Sequence, residues 1–112
     1  MSGEAPHRSF GILDPWVPIR EYAHNLEQEL RKEVGPGHPL YALPVQAIAQ
    51  RTDSDHVLFE VGSAEHPYAV VHLTWTGEPE HDPKWPDTQL FSTREQWVEQ
   101  RMKPDNVKFT AG

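Results

Sequence analysis

The chain has 112 residues and no cysteine, and its 17 acidic against 10 basic side chains leave a formal charge of -7. That length suits one domain with a single core, and the missing cysteine excludes disulfides, thiolate-bound metal and a cysteine nucleophile. No Lys/Arg cluster offsets the acidity, which disfavours direct nucleic-acid binding and makes a basic or mixed protein surface the complementary partner.

Residues 1–112 are expected to form one domain, with 1–11 a flexible arm of small and polar residues. The opening lacks a basic, then apolar, run, so no signal peptide is expected; no apolar stretch is long enough to span a membrane, and the expected compartment is the cytoplasm. The first helix is predicted to begin at Pro18, where a missing N–H costs nothing. Ile19, Tyr22, Ala23, Leu26, Leu30 and Val34 then form one apolar stripe. Glu27 and Arg31 stand four apart in the favourable order. Gly35-Pro36-Gly37 is expected to end the helix, with a left-handed glycine followed by a proline.

After a proline-bracketed connector, Val45 to Thr52 reads as a strand, weakened by Ala47 and Ala49. His56 to Val61 and Tyr68 to Trp75 alternate as strands, the second with Ala69, Val71, Leu73 and Trp75 on one face. Thr88 to Phe91 is a short fourth candidate. Ser92 and Glu95 have the spacing of a capping box for a last helix, with Trp97, Val98 and Met102 inward and Pro104 as its end. Val107 to Phe109 fits either a tail or an edge strand. Trp16 is expected to be core, stapling the first helix. The predicted fold is α+β: an antiparallel sheet of three or four strands, with the N-terminal and C-terminal helices packed mainly on one face.

Seven histidines (His7, His24, His38, His56, His66, His72 and His81) include no pair at helical or strand ligand spacing, so no metal or cofactor is expected and the histidines are assigned to the surface. His72 lies mid-strand, and Glu60 on the neighbouring strand has the matching parity. Such a pair serves either as acid and base or as a cross-strand stabiliser. The serines sit at turns and caps without a nucleophile elbow.

The segment from Thr76 to Asp87 carries the strongest functional signal. It sets Glu78, Glu80, Asp82 and Asp87 against Lys84, stiffened by Pro79, Pro83 and Pro86. Trp85 suits an interface anchor, or folds back onto the sheet beside Trp75. The expected partner-binding residues are Trp75, Glu78, Glu80, His81, Asp82, Trp85 and Asp87.

From Gly37 onward the chain resembles a group of small, mostly uncharacterised bacterial proteins. The residues that carry this are Gly37-His38-Pro39-Leu40-Tyr41, Val57-Leu58-Phe59 and Val70-Val71-His72-Leu73-Thr74-Trp75, then Trp85-Pro86, Phe91, Trp97 and Arg101-Met102. The resemblance implies a bacterial cytoplasmic single domain and brings no site residues. In size, charge and architecture the chain is also similar to immunity proteins of bacterial toxin systems. The function expected is a non-enzymatic acidic protein-binding module of inhibitor or immunity type. The alternative is a small enzyme or small-ligand binder with a pocket near His72, Trp75 and Tyr68.

Overall fold

The computed structural model describes residues 12–19, 21–77 and 85–111. The fold is α+β, built on an antiparallel sheet of five strands in sequence order: β1 (Trp16–Pro18), β2 (Val45–Arg51), β3 (His56–Val61), β4 (Tyr68–His72) and β5 (Thr88–Phe91). Helix α1 (Ala23–Glu33) lies between β1 and β2; α2 (Arg94–Trp97), a π-helical turn (Val98–Met102) and α3 (Lys103–Ala111) follow β5.

The strand beyond the expected three or four is β1, where a helix start was predicted. Trp16, Val17 and Pro18 pair with Arg51, Gln50 and Ala49. As an edge strand it tolerates Pro18, because only one side of its backbone meets a ladder. The helix begins at Ala23 and has no side-chain cap. It ends with Val34 extended, and Gly37, not Gly35, takes the left-handed backbone at φ 103°.

The helices lie on both faces of the sheet rather than mainly on one. On the first face Leu26, Leu30 and Val34 pack with Val57, Phe59, Val61, Ala69, Val71 and Leu73. On the second, Leu58, Val70 and Phe91 pack with Trp16, Trp97 and Met102. The central strands β3 and β4 are therefore buried on both sides, as their near-continuous apolar runs allow. Trp16 does not staple α1: it meets Trp97 edge-on with ring centroids 5.4 Å apart, on the face away from α1.

A β-bulge explains why a strand with two alanines serves both layers. The pairing shifts between Ala47, opposite Phe59, and Ala49, opposite Leu58. The extra residue, Ile48, reverses the alternation, so Ala47 joins the α1 layer and Ala49 joins the tryptophan layer. Glu27 accepts the Ala47 N–H at 2.9 Å instead of pairing with Arg31. Among the described residues Arg31 has no ion-pair partner.

The last helix is capped one residue later than expected. Thr93 Oγ1 accepts the Gln96 N–H, and the Gln96 side chain accepts the Ser92 N–H. Nor does Pro104 end it. The preceding turn widens so that Lys103 N–H bonds to the Val98 carbonyl five residues back, and this change of phase lets the chain pass a residue that has no donor. Helix α3 continues through Val107 and Phe109, which are therefore neither tail nor strand, and buries no residue of its own. It is held by polar contacts instead. Oδ2 of Asp105 accepts from Trp16 Nε1 at 2.9 Å and Arg101 Nε at 3.0 Å and faces Arg51 Nη1 at 3.2 Å.

Candidate functional site: the base of the acidic segment

The two ends of the acidic segment are fixed by side chains from α1 and the turn that follows it. Strand β4 stops at His72, three residues earlier than the alternation suggests. Leu73 stays buried, but the next two backbone donors turn away from the ladder toward α1. Glu33 accepts the Thr74 N–H at 2.8 Å and the Trp75 N–H at 2.7 Å, and Glu29 accepts the Gly77 N–H at 3.0 Å. Between these anchors Trp75 has φ 60°, a left-handed backbone that is exceptional for a bulky side chain. The reversal takes its indole off the apolar face where strand parity would put it and leaves it 48% exposed.

Glu33 is 0% exposed. Burial, then the neighbouring Glu29 carboxyl, raises its pKa to about 7, against the pull of the Thr74 and Trp75 N–H groups. Glu29 and Glu33 are buried at core spacing with Leu26 and Leu30, so their carboxyls replace hydrocarbon on the inward stripe. That replacement satisfies a turn that has left the sheet.

The other end is tied by His38. Its Nδ1 accepts the Leu40 N–H at 3.0 Å, which leaves Nε2 to donate to the Pro86 carbonyl at 3.1 Å, with Thr88 Oγ1 3.2 Å away. Burial lowers the His38 pKa, opposed by the Pro86 carbonyl. His38 is thus a buried positioning histidine, contrary to the surface role expected of it. The His72 N–H donates to the Asp87 carbonyl at 2.9 Å and closes the same end. Trp85, just before the buried Pro86, is 48% exposed. It does not fold back into the core.

Of the expected contact residues, Trp75, Trp85 and Asp87 are exposed at the two ends of the segment; Glu78, Glu80, His81 and Asp82 lie outside the described residues. The expected His72–Glu60 pair is not formed. The register sets Glu60 opposite Tyr68 and His72 opposite His56, because matching parity does not fix position along a strand. His72 stacks on His56 with centroids 4.2 Å apart. Burial, then His72 and the arginines Arg101 and Arg51, lowers the His56 pKa to about 4. His56 Nδ1 is bonded to the Ser54 hydroxyl at 2.8 Å.

Among the described residues, Tyr68 and His72, named for the alternative pocket, stand at opposite ends of β4. Tyr68 lines a cavity of about 400 Å³ with Glu60, Gln46 and Arg94, at the far end of β4 from His72. Another cavity, of about 480 Å³, lies between the end of α1 and the start of β2 and is lined by Leu30, Val34, Leu40, Leu43 and Arg31. Among the described residues no three histidines or carboxylates converge to hold a metal ion, and no helix is long and apolar enough to cross a membrane.

The buried anchors Glu33, Glu29 and His38 were missed as site residues. The signal for the first two was present: two glutamates at i+3 and i+7 from Leu26 on an otherwise apolar stripe. Comparison with family models, with curated proteins and with solved structures returned no match to this chain.

Proposed function

We propose that this chain is a non-enzymatic protein-binding module of inhibitor or immunity type, acting in the bacterial cytoplasm. Its contact surface is centred on Trp75 and Trp85 at the two ends of the acidic segment, with Glu78, Glu80, His81, Asp82 and Asp87 contributing from that segment. The observation that supports this reading best is the pair of half-exposed tryptophans, each 48% accessible, on backbone anchored from beneath. Large aromatic side chains on preordered backbone are the usual energetic centres of interfaces. The charge of -7 favours a partner with a basic or mixed surface, through faster encounter and complementarity.

The test is capture from a native bacterial lysate with mass spectrometry, run in parallel with wild type and a Trp75→Ala/Trp85→Ala double variant. A partner retained by wild type and lost by a variant of unchanged fold supports the reading. Equal recovery with both baits removes it. Reversing Glu78, Glu80 and Asp82 to lysine is expected to slow association with that partner while leaving Tm nearly unchanged. Unfolding of the triple variant would make the segment structural instead.

A further inference from the structure

Among the described residues, the backbone N–H groups of Thr74, Trp75 and Gly77 donate to the carboxyls of Glu33 and Glu29. The residue held between them, Trp75, has the left-handed backbone of φ 60°. We propose that the Glu29–Glu33 carboxyl pair is a pH-responsive clasp for the 74–77 segment, closed in weakly acidic solution and opening as pH rises through neutrality, and so regulates how Trp75 is presented. The regulatory part rests on the reading of Trp75 as a partner-binding residue.

The proposed clasp has two states. With a proton held between the carboxyls, one O–H joins Glu33 to Glu29, and the remaining oxygen lone pairs accept the three backbone N–H groups. Loss of the Glu33 proton removes that donor and places a negative charge on a side chain closed to solvent, against a second carboxyl oxygen. The Thr74 and Trp75 N–H groups offset part of the cost, but burial outweighs them and holds the proton to about pH 7. The groups acting on Glu33 are the Glu29 carboxyl from α1 and the backbone and hydroxyl of Thr74 and the backbone of Trp75 from the strand exit. The other buried residues of α1, Leu26 and Leu30, are apolar. No described lysine, arginine or histidine pairs with it. Parting the 74–77 segment from α1 lets water reach the ionised carboxylate and frees the left-handed residue in one movement.

The test is a series of ¹H–¹⁵N correlation spectra of the full chain between about pH 5.5 and 9, following the amides of Thr74, Trp75 and Gly77. All three are expected to shift together with a midpoint near 7 and to lose exchange protection above it, while the β3 amides stay unchanged. In Glu33→Gln the three amides are expected to stay flat. In Glu29→Gln, which keeps Glu33 and serves if the first variant does not fold, the midpoint is expected to move to lower pH. Three flat amides in wild type, the same titration persisting in Glu33→Gln, or an unmoved midpoint in Glu29→Gln overturns the clasp. No partner is present in these spectra. Failure of the tryptophan interface therefore leaves the titration intact, and flat amides leave that interface standing.

Discussion

The indole Nε1 of Trp16 donates to Oδ2 of Asp105 at 2.9 Å and joins the first strand to a helix 89 residues later. The same oxygen also accepts from Arg101, while Arg51 faces it from the end of β2, so one carboxylate gathers two cations and an indole where α3 has no apolar anchor. Replacing Asp105 with alanine leaves two arginines and a buried indole N–H without their shared acceptor. The expected loss is about 2–4 kcal/mol, read as a lower denaturant midpoint. A change below about 0.5 kcal/mol would show that α3 is held by something else.

Stability should depend on pH through groups that act in opposite directions. Glu33 binds its proton more tightly folded than unfolded, so its contribution is full below the ordinary value of 4.5 and is lost as pH rises toward about 7. His56 works the other way. Its folded pKa of about 4 lies below the ordinary 6.5, so stability is lost as pH falls through that window, and the lowered pKa of His38 acts in the same direction. Glu33→Gln should remove the first contribution alone. The stability of the variant relative to wild type should then rise between pH 4.5 and about 7, by up to about 3 kcal/mol. Parallel wild-type and variant curves in urea titrations across that range would contradict the raised pKa.

The exposed tryptophans should separate binding from stability. Trp85→Ala is expected to change the unfolding free energy by less than about 1 kcal/mol and to weaken binding of a captured partner by about 2 kcal/mol or more. Calorimetric titration against that partner and thermal melts read the two effects independently. A large fall in Tm without loss of affinity would identify Trp85 as a structural pin.

Two glycines test the local geometry. A Cβ on Gly62 would meet the Pro44 ring at 2.9 Å, beside the bond from Gly62 N–H to the Pro44 carbonyl. Gly62→Ala should therefore cost about 1–3 kcal/mol through displaced backbone. Among the described residues a Cβ on Gly77 meets nothing within 4 Å, but its φ is 76°; Gly77→Ala should cost only about 1 kcal/mol, from backbone strain. Equal melting temperatures for the two variants would refute the distinction.

The parts of the fold legible in the sequence are those where one periodicity dominates. β3, most of β4, β5 and the inward positions Trp97 and Met102 follow from alternation or helical spacing. Local pattern misleads where tertiary contacts decide. Trp16–Pro18 carries two turn-forming neighbours and became a strand only because β2 offered it an edge. Pro104 halts an ordinary helix but passes through a widened turn. The shift at Ile48 has no sequence mark, since a bulge depends on the partner strand. At the site, the backbone around Trp75 is held by Glu33 and Glu29, more than forty residues earlier in the chain, and no reading confined to the loop itself could have found them.

The crossing of β2 from one layer to the other at Ile48 bears on how the molecule melts. Its first half closes the layer beneath α1 and its second half closes the layer beneath Trp97, so both oily interiors share a single ribbon of backbone. Neither can come apart without pulling on the other's wall. Probes in the two layers, the Trp16–Trp97 pair on one side and Phe59 on the other, should consequently report one common transition.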